Sequence, residues 1–189
     1  MRKRILAQRD ALGAAERKSL SENITTRVLA FDAYRKAASV MAYVSFGGEF
    51  ESAGFIADLF ARGKQLVLPR VERGSRALRL FAVTNLDQQL EAGVWGIRQP
   101  RADLCQEVPS SEIAFVLVPG VAFTVRCERL GYGGGFYDRF IRGLTHRPAL
   151  VAAAFELQVV PELPMSETDR CVDMVVTENA EYGVIGGRN

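Results

Sequence analysis

The sequence predicts an α/β fold, a three-layer sandwich in which helices cover both faces of a mostly parallel β-sheet. Several short apolar runs are continuous rather than alternating, which indicates strands that are buried on both faces. These runs alternate along the chain with segments whose apolar residues recur at helical spacing, as in layered α/β proteins. The 189 residues contain no internal repeat and no break in composition. We therefore expect a single domain spanning residues 1–189.

Three helices are predicted in the first half of the chain. Residues 1–12 alternate basic and apolar side chains, as a short basic helix would. A second helix opens at Gly13, with Glu16 in the first turn, where a carboxylate suits the helix dipole. Its buried stripe consists of apolar residues at helical spacing: Leu20, Ile24, Val28 and Phe31. The third helix covers residues 55–60, and Gly63 ends it.

Six apolar segments are predicted as strands, at residues 39–44, 65–68, 79–83, 113–118, 150–155 and 172–176. We expect Pro69 to end the second of them, because proline cannot donate a hydrogen bond to a neighbouring strand. Residues 86–96 are predicted as a polar loop or a short helix. Ligands of such sheets bind beyond the carboxyl ends of the strands, so the chemistry is expected in the loops that follow them.

Composition excludes several classes of function. No apolar run approaches the length of a membrane span and the N-terminal residues are too polar for a secretory signal, so we expect a cytoplasmic protein that does not contact membranes. A net charge of +2 does not indicate general nucleic-acid binding. We also expect a monomer. The three cysteines lie far apart, which argues against disulfides and structural zinc. The single histidine, His146, excludes a His-rich metal site.

A glycine-rich segment, residues 129–139, concentrates the candidate chemistry. It reads Arg-Leu-Gly-Tyr-Gly-Gly-Gly-Phe-Tyr-Asp-Arg, and Phe136, Phe140 and Leu144 are predicted to share one face of the helix that follows. A glycine loop that runs into a helix presents free backbone N–H groups to phosphate. Asp138 lies just beyond the loop, where it could meet a metal ion, and the nearby cations are all arginines. The alternative is an ordinary surface turn before a helix.

The segment matches neither of the two common nucleotide-binding loops. It lacks glycine at the sixth position of the dinucleotide fingerprint and begins too late after its strand. No Gly-Lys-Ser/Thr sequence is present, so a P-loop is excluded. The residues alone therefore indicate a different kind of phosphate-binding turn.

Several motifs resemble the 5-formyltetrahydrofolate cyclo-ligases, also called methenyltetrahydrofolate synthetases. Residues 118–123, which read Val-Pro-Gly-Val-Ala-Phe, and the glycine segment after them are similar to the signature of that family. The likeness continues in order through Leu68-Pro-Arg-Val71, Gly96-Ile97 with Pro100, Ala154-Phe155-Glu156 with Gln158, and Val172-Asp173 with Val176-Thr-Glu178. The resemblance covers nearly the whole chain and implies a fold of the NagB/RpiA/CoA-transferase type, in agreement with the sheet predicted above.

The resemblance implies a ligase that depends on ATP and Mg²⁺. Such an enzyme converts 5-formyltetrahydrofolate and ATP to 5,10-methenyltetrahydrofolate, ADP and phosphate. The formyl oxygen attacks the γ-phosphate, N10 attacks the activated carbon, and phosphate leaves as the ring closes. The protein mainly aligns the substrates and neutralises the charge on the transferred group.

The resemblance also implies the residues of the site. ATP would be bound by Arg2, Arg129, Leu130, Gly131, Tyr132, Gly133, Gly134, Gly135, Phe136 and Tyr137, of which Arg129 and Tyr137 are the predicted catalytic residues. The folate would contact Val44, Glu49, Tyr132, Gly133, Gly134, Gly135 and Phe136, with the carboxylate accepting hydrogen bonds from the pterin. Asp138 and Asp173 would hold Mg²⁺, which prefers carboxylate and phosphate oxygen. Tyr132, Phe136, Tyr137 and, more weakly, Trp95 are candidates to stack on flat rings.

Each of these assignments has a structural alternative. Arg2 would otherwise belong to a flexible basic tail, and Glu49 would be a solvated loop acid. Asp138 and Asp173 would be a helix-capping acid and a strand-end acid. Phe136 would otherwise be a core residue.

The chain departs from the family at several positions. A lysine usually occurs four residues before the arginine matched by Arg2; this sequence does not include it, which implies reduced ATP contacts or a start further upstream. Thr124 stands where aspartate is common, and Cys127 where glycine is common. Thr168 replaces a histidine and Phe136 a frequent tyrosine. None of these changes touches the glycines or the two acids, so the catalytic rate is the open question.

Two other functions remain open at this point. One is a folate- or nucleotide-binding member of the family that does not catalyse the reaction. The other is a sugar-phosphate isomerase or a CoA-transferase on the same fold. A CoA-transferase needs a nucleophilic glutamate, for which Glu156 is the candidate at a strand end.

Overall fold

The computed structural model of the protein describes residues 1–72, 74, 77–93 and 96–183. Its helices are α1 (Arg2–Asp10), α2 (Ala14–Ala30), α3 (Asp32–Lys36), α4 (Ala53–Ala61), α5 (Leu86–Gln89) and α6 (Phe136–Arg142). Its strands are β1 (Ser39–Met41), β2 (Gln65–Val71), β3 (Leu78–Val83), β4 (Leu90–Ala92), β5 (Arg98–Pro100), β6 (Phe115–Leu117), β7 (Ala122–Phe123), β8 (Arg129–Leu130), β9 (Ala149–Ala153), β10 (Met174–Val176) and β11 (Glu181–Gly183). Within the described ranges, no helix is long and apolar enough to cross a membrane.

One large sheet organises the described residues. Its strands lie in the order β11-β10-β9-β6-β1-β2-β3. The five central strands are parallel, and the two edge strands, β3 and β11, run antiparallel to their neighbours. The mostly parallel sheet predicted from the continuous apolar runs is therefore confirmed. Two short antiparallel ribbons, β4–β5 and β7–β8, lie outside this sheet.

Successive residues of the central strands face two different helical layers. In β6 and the residue after it, Phe115 and Leu117 belong to the core under α2, α3 and α4, whereas Val116 and Val118 belong to the core against which α6 packs. Side chains alternate across a strand, so a strand that is apolar at every position needs cover on both faces. The three-layer arrangement follows from this pattern and confirms the predicted fold class.

A third, smaller core fixes the first helix to the rest of the molecule. Ile5 of α1 is buried and belongs to a cluster with Val121, Ala122, Val160 and Leu163. These residues come from the ribbon that precedes the glycine loop and from the segment after β9. The burial of α1 therefore sets where the basic side chains of this helix lie relative to the loop.

The prediction that Pro69 ends its strand is wrong. β2 continues to Val71, and Pro69 pairs in register with Leu80 of β3. On the other side, the parallel register with β1 ends at Val67, opposite Met41. Among the described strands, β2 therefore has a sheet neighbour on one side alone from Pro69 onward, and a proline is tolerated where no hydrogen bond is required of its nitrogen.

Two of the departures from the family lie in the turn between β7 and β8. The hydroxyl of Thr124 donates to the Glu128 carboxylate at 2.7 Å and accepts from the backbone N–H groups of Arg126 and Glu128 at 3.3 Å. Cys127 has a φ of 63°, and it is the one non-glycine residue with positive φ in the part of the chain that the structure describes. This left-handed backbone explains why glycine is favoured here. The buried thiol of Cys127 lies 3.2 Å from the carbonyl oxygen of Tyr182 and 3.6 Å from that of Asp173, so it hydrogen-bonds to this part of the sheet.

We expect Cys127→Val to lower the free energy of unfolding by about 2–3 kcal/mol, as measured by chemical denaturation. A β-branched side chain is disfavoured in left-handed backbone, and valine also loses the thiol hydrogen bonds. Cys127→Gly relieves the backbone and should remain within about 1 kcal/mol of the wild type. Cys105→Val is the matched control at a partly exposed cysteine, where we expect a change of less than about 1 kcal/mol. Equal losses of unfolding free energy in Cys127→Val and Cys105→Val would contradict the role of the left-handed backbone at Cys127.

Candidate active site

The glycine loop joins β8 to α6, and its glycines are needed for two different reasons. Gly133 and Gly135 have φ values of 105° and 64°, which glycine adopts without steric penalty. Gly131 and Gly134 lie where a side chain would collide with its neighbours. A Cβ on Gly131 would lie 2.9 Å from the Arg129 guanidinium, and a Cβ on Gly134 would lie 2.5 Å from the ring of Phe136. The loop is therefore packed closely by the residues on either side of it.

A buried ion pair lies beneath this loop. Arg129 is 4% exposed, and its Nη2 donates to Oδ1 of Asp138 at 2.6 Å. The same oxygen accepts from the backbone N–H of Arg170 at 3.1 Å. Because Arg129 lies in β8 and Asp138 in the first turn of α6, the pair fixes the helix to the ribbon.

Among the residues that the structure describes, two polar atoms at this pair have no hydrogen-bond partner. They are Nε of Arg129 and the hydroxyl of Tyr137, both buried and without a hydrogen bond. An unsatisfied buried donor costs about 1–3 kcal/mol. Such atoms next to a glycine loop indicate that the site is completed by a polar ligand.

The structure brings Arg2 to the glycine loop. Its Nε donates to the carbonyl oxygen of Gly131 at 2.8 Å, although the two residues are 129 positions apart. Arg2 is the first residue of α1, and the burial of Ile5 holds that helix in place. A basic side chain at this position can contact an anion bound at the loop, as the resemblance implies.

The predicted folate acid, Glu49, lies in a buried position. It is 5% exposed, its Oε1 accepts from the Tyr132 hydroxyl at 2.5 Å, and its Oε2 accepts from the backbone N–H of Phe46 at 3.1 Å. Burial raises the pKa of Glu49, while the hydrogen bonds from Tyr132 and Phe46 and the charge of Arg9 oppose that rise. The solvated loop acid considered above is therefore not what the structure contains.

Aromatic rings surround this carboxylate. The rings of Phe46 and Tyr132 are 5.6 Å apart and inclined by 41°, and both side chains are partly exposed. Burial, followed by the charge of Glu49, raises the pKa of Tyr137. Val44 is partly buried and packs against the main core. A flat ring that stacks on the exposed aromatic side chains would have Glu49 within reach of its edge.

The alternative that Phe136 is a core residue is wrong, because Phe136 belongs to none of the three core clusters. The side chains that pack on the core at this point are Tyr137, Phe140, Ile141 and Leu144. The ring of Phe136 lies instead against Gly134, with the guanidinium of Arg139 5.9 Å from its centre. α6 ends at Arg142, so Leu144 packs from beyond the helix. Phe136 therefore lies at the glycine loop rather than in the core.

The two predicted metal ligands have different surroundings. Asp138 lies at the glycine loop, as described above, whereas the buried Asp173 precedes β10 and accepts from the backbone N–H of Leu150 at 2.9 Å. Within the described ranges, no three His, Cys, Asp or Glu side chains form a group that could hold a metal ion. Mg²⁺ commonly takes one or two carboxylates together with phosphate and water. Asp138 fits that role beside a bound phosphate, and Asp173 stays a prediction from the resemblance.

Arg9 and Phe46 belong to this site and were not predicted. Nη1 of Arg9 donates to the Tyr132 hydroxyl at 2.8 Å, so Tyr132 links Arg9 to Glu49. The spacing of Arg2, Ile5 and Arg9 along one face of the first helix is a signal that could have identified Arg9. Trp95, the weaker stacking candidate, lies outside the described residues.

The candidate nucleophile of a CoA-transferase is not available for that role. Oε1 of Glu156 accepts from the Tyr182 hydroxyl at 2.6 Å, and its Oε2 accepts from the hydroxyl of Thr177. Its backbone N–H donates to the carboxylate of Glu178 at 3.0 Å. These contacts tie the segment after β9 to β10 and β11, so Glu156 has a structural function here.

Fold and site together define an α/β enzyme with an arginine-lined glycine loop next to a buried acid. The model of the 5-formyltetrahydrofolate cyclo-ligase family matches residues 1–178, and the chain belongs to this family. The 5-formyltetrahydrofolate cyclo-ligase of Escherichia coli K12 is 30% identical over 174 residues, covering 92% of this chain and 96% of the relative. The mouse enzyme of the same name is 31% identical over 178 residues, covering 90% and 88%.

Solved structures give the same result. The 5,10-methenyltetrahydrofolate synthetase of Aquifex aeolicus is 31% identical, with a TM-score of 0.84 over 100% of this chain and 93% of the other. The synthetase of Mycoplasma pneumoniae, at 21% identity, has a TM-score of 0.76 over 94% and 96% of the two chains and supports the fold alone. The fold predicted from the sequence is therefore that of the methenyltetrahydrofolate synthetases.

Proposed function

We propose that this protein converts 5-formyltetrahydrofolate to 5,10-methenyltetrahydrofolate, with ATP as co-substrate and ADP and phosphate as products. Membership of the cyclo-ligase family and the coverage of relatives over most of their length support this function. One structural observation links this function to particular residues. The buried Arg129 is paired with Asp138, and its Nε, directly beside the glycine loop, has no partner within the described part of the chain.

ATP would bind with its phosphates on the glycine loop. The unpartnered Nε of Arg129 and the hydroxyl of Tyr137 would donate to phosphate oxygens, and Arg2 would contribute a second positive charge. Gly131 and Gly134 have no side chains, so the phosphates can approach the backbone of the loop closely. A side chain at either position would also collide with Arg129 or Phe136. These residues stabilise the negative charge on the phosphoryl group while it moves from ADP to the formyl oxygen.

The folate would bind on the other side of the loop. Glu49 would accept hydrogen bonds from the donor edge of the pterin, and the rings of Phe46 and Tyr132 would flank it, with Val44 beneath. In this orientation the formyl oxygen attacks the γ-phosphorus and the bond to ADP breaks. N10 then attacks the formyl carbon, the carbon–oxygen bond breaks, and the N10 proton leaves with the released phosphate. The main contribution of the protein is to hold the two substrates in line.

Asp138 would be the principal ligand of Mg²⁺, together with oxygens of the bound phosphates and water. When bound, the metal supplies positive charge that neutralises the phosphate oxygens. Asp173, proposed by the resemblance as a second ligand, is held by the N–H of Leu150 at the beginning of β9.

We also propose a monomeric protein in the cytoplasm that acts on small molecules and binds neither nucleic acid nor membranes. The net charge of +2 supports the exclusion of nucleic acid. Cys105, Cys127 and Cys171 are all free thiols, which suits a reducing compartment. Gel filtration with light scattering would measure the oligomeric state.

The experiment that tests the function combines the purified protein with 5-formyltetrahydrofolate, ATP and MgCl₂. Formation of the methenyl product is followed by its absorbance, and ADP release is measured in parallel. We expect equal amounts of both products and none without ATP. Binding of the folate without turnover would instead support a non-catalytic member of the family, and the absence of both would contradict the proposal.

A further inference from the structure

The first helix connects the two halves of the site. Arg2, Ile5 and Arg9 lie on one face of α1, at spacings of three and four residues. Arg2 contacts the glycine loop at Gly131, and Ile5 is buried in the third core. Arg9 is at the opposite end of the helix and contacts Tyr132. One rigid element therefore touches both the phosphate loop and the surroundings of the folate acid.

Arg9 is buried more completely than a surface cation. It is 3% exposed, its Nη1 donates to the Tyr132 hydroxyl, and its Nε lies 3.6 Å from Oδ1 of the exposed Asp10 without forming a hydrogen bond. Burying a charge costs several kcal/mol unless partners compensate for the lost water. The Tyr132 hydroxyl in turn donates to Oε1 of Glu49, so Tyr132 connects Arg9 to a buried group of opposite charge.

The loop that carries Glu49 also rests on α1. A Cβ on Gly48 would lie 2.4 Å from Oδ1 of Asp10 and 3.2 Å from its Cα atom. This contact involves backbone as well as side chain, so the loop and the end of the helix are packed without space between them. The position of Glu49 therefore depends on α1 through two neighbouring contacts.

We propose that Arg9 is a positioning residue for 5-formyltetrahydrofolate: acting through the hydroxyl of Tyr132, it holds Glu49 as an ionised acceptor in the orientation that binds the pterin. This inference rests on the proposed function and extends it to a residue that the resemblance does not assign. Arg9 does not touch the substrate in this arrangement. It acts through the side chain between them.

The groups around Glu49 determine the direction of the expected pH effect. Arg9 faces it from α1, Tyr43 from the segment after β1, Tyr132 from the glycine loop and Tyr137 from α6, while Asp10 lies beside Arg9 and against Gly48. Burial raises the pKa of each of the three tyrosines, so they remain neutral, and the charge of Arg9 favours the ionised carboxylate. Without that charge the carboxylate takes up a proton at a higher pH and ceases to accept hydrogen bonds from the pterin.

The test compares Arg9→Gln with the wild type over a range of pH. We expect the KM for 5-formyltetrahydrofolate to rise about tenfold, which is the loss of one hydrogen bond to a charged group, while the KM for ATP stays within about twofold. The acid limb of kcat/KM for the folate should move to higher pH. Arg9→Lys keeps the charge and should restore the KM to within about threefold of the wild type. Arg4→Gln, at an exposed position on the same helix, is the matched control and should change neither KM.

A double-mutant cycle tests whether Arg9 acts through Tyr132. Tyr132→Phe removes the hydroxyl, and the double variant with Arg9→Gln should be no worse than the more affected single variant. Strictly additive effects would overturn the proposal, as would equal increases in both KM values or an unmoved acid limb. If Arg9→Gln does not fold, Tyr132→Phe alone breaks the link between Arg9 and Glu49 and should raise the KM for the folate and move the acid limb, and an unmoved acid limb in this variant would overturn the proposal.

A measurement without turnover separates this proposal from the proposed function. The carboxylate of Glu49 can be titrated by ¹³C NMR, with its resonance assigned from Glu49→Gln. Arg9→Gln should raise the pKa of Glu49 relative to the wild type, and an unchanged value overturns the role of Arg9. If the wild-type protein neither binds nor converts the folate, the proposed function is contradicted. The titration of Glu49 still tests the role of Arg9 in that case.

Discussion

Asp138→Asn is expected to lower kcat by about 10³-fold or more, measured with both substrates at saturation. Asparagine keeps an oxygen that can accept from Nη2 of Arg129 and from the backbone N–H of Arg170, so the geometry of the loop is retained. It removes the negative charge that would share Mg²⁺ with the phosphates. Alanine is a poorer test, because it leaves the buried Arg129 without its partner, a change that destabilises by about 3–5 kcal/mol.

Two other acids serve as comparisons for Asp138. Asp169 accepts from the backbone N–H of Ser166 in a nearby turn, and Asp169→Asn should leave kcat within about threefold of the wild type. Asp173→Asn tests whether Asp173 is a metal ligand or an acid that holds the start of β9. If Asp173 binds Mg²⁺ in the wild type, the variant should need a higher concentration of Mg²⁺ for half-maximal rate. If Asp173 does not bind Mg²⁺, the variant should lose only free energy of unfolding. An active Asp138→Asn variant with unchanged dependence on Mg²⁺ would refute the metal assignment.

Much of the fold could be predicted because the apolar pattern of the strands reflects the layers directly. A strand buried on both faces must be apolar at every position, and residues 115–118 have this property. The errors occurred where a residue depends on neighbours that are distant in the sequence. Pro69 is tolerated because the pairing between β1 and β2 ends at Val67, and the length of β1 cannot be inferred from the residues around the proline.

The candidate site was predicted in part for a related reason. The glycines, Arg129 and Asp138 lie close together in the sequence, so a local motif identifies them. Arg2 and Glu49 were assigned by resemblance alone. The link from Arg9 through Tyr132 to Glu49 joins residues 123 and 83 positions apart, and no local pattern specifies such a contact. The spacing of Arg2 and Arg9 shows that they share a face of a helix, but not what that face touches.

Glu49→Gln is expected to raise the KM for 5-formyltetrahydrofolate by about 10²-fold, with little change in the KM for ATP. The carboxylate accepts hydrogen bonds through both oxygens, whereas the amide presents one acceptor and one donor. An amide N–H directed at the donor edge of a pterin would be unfavourable, in addition to the loss of the charge. Steady-state kinetics with each substrate varied in turn would measure the two KM values.

The same variant should be more stable than the wild type near neutral pH. Burial raises the pKa of Glu49 above its unfolded value, so the folded state favours the protonated form, and the stability this gives is lost as the pH rises through the folded pKa. Glutamine is neutral at every pH, and its melting temperature should exceed that of the wild type at neutral pH but not near pH 4, around the ordinary pKa of glutamate. Glu51→Gln, at a partly exposed acid in the same loop, should show neither effect on the folate KM nor this dependence on pH. A Glu49→Gln variant that binds the folate normally would refute the assignment of Glu49 as the acid that binds the pterin. A variant that is more stable and binds the folate poorly would identify Glu49 as a residue that serves binding at the expense of stability.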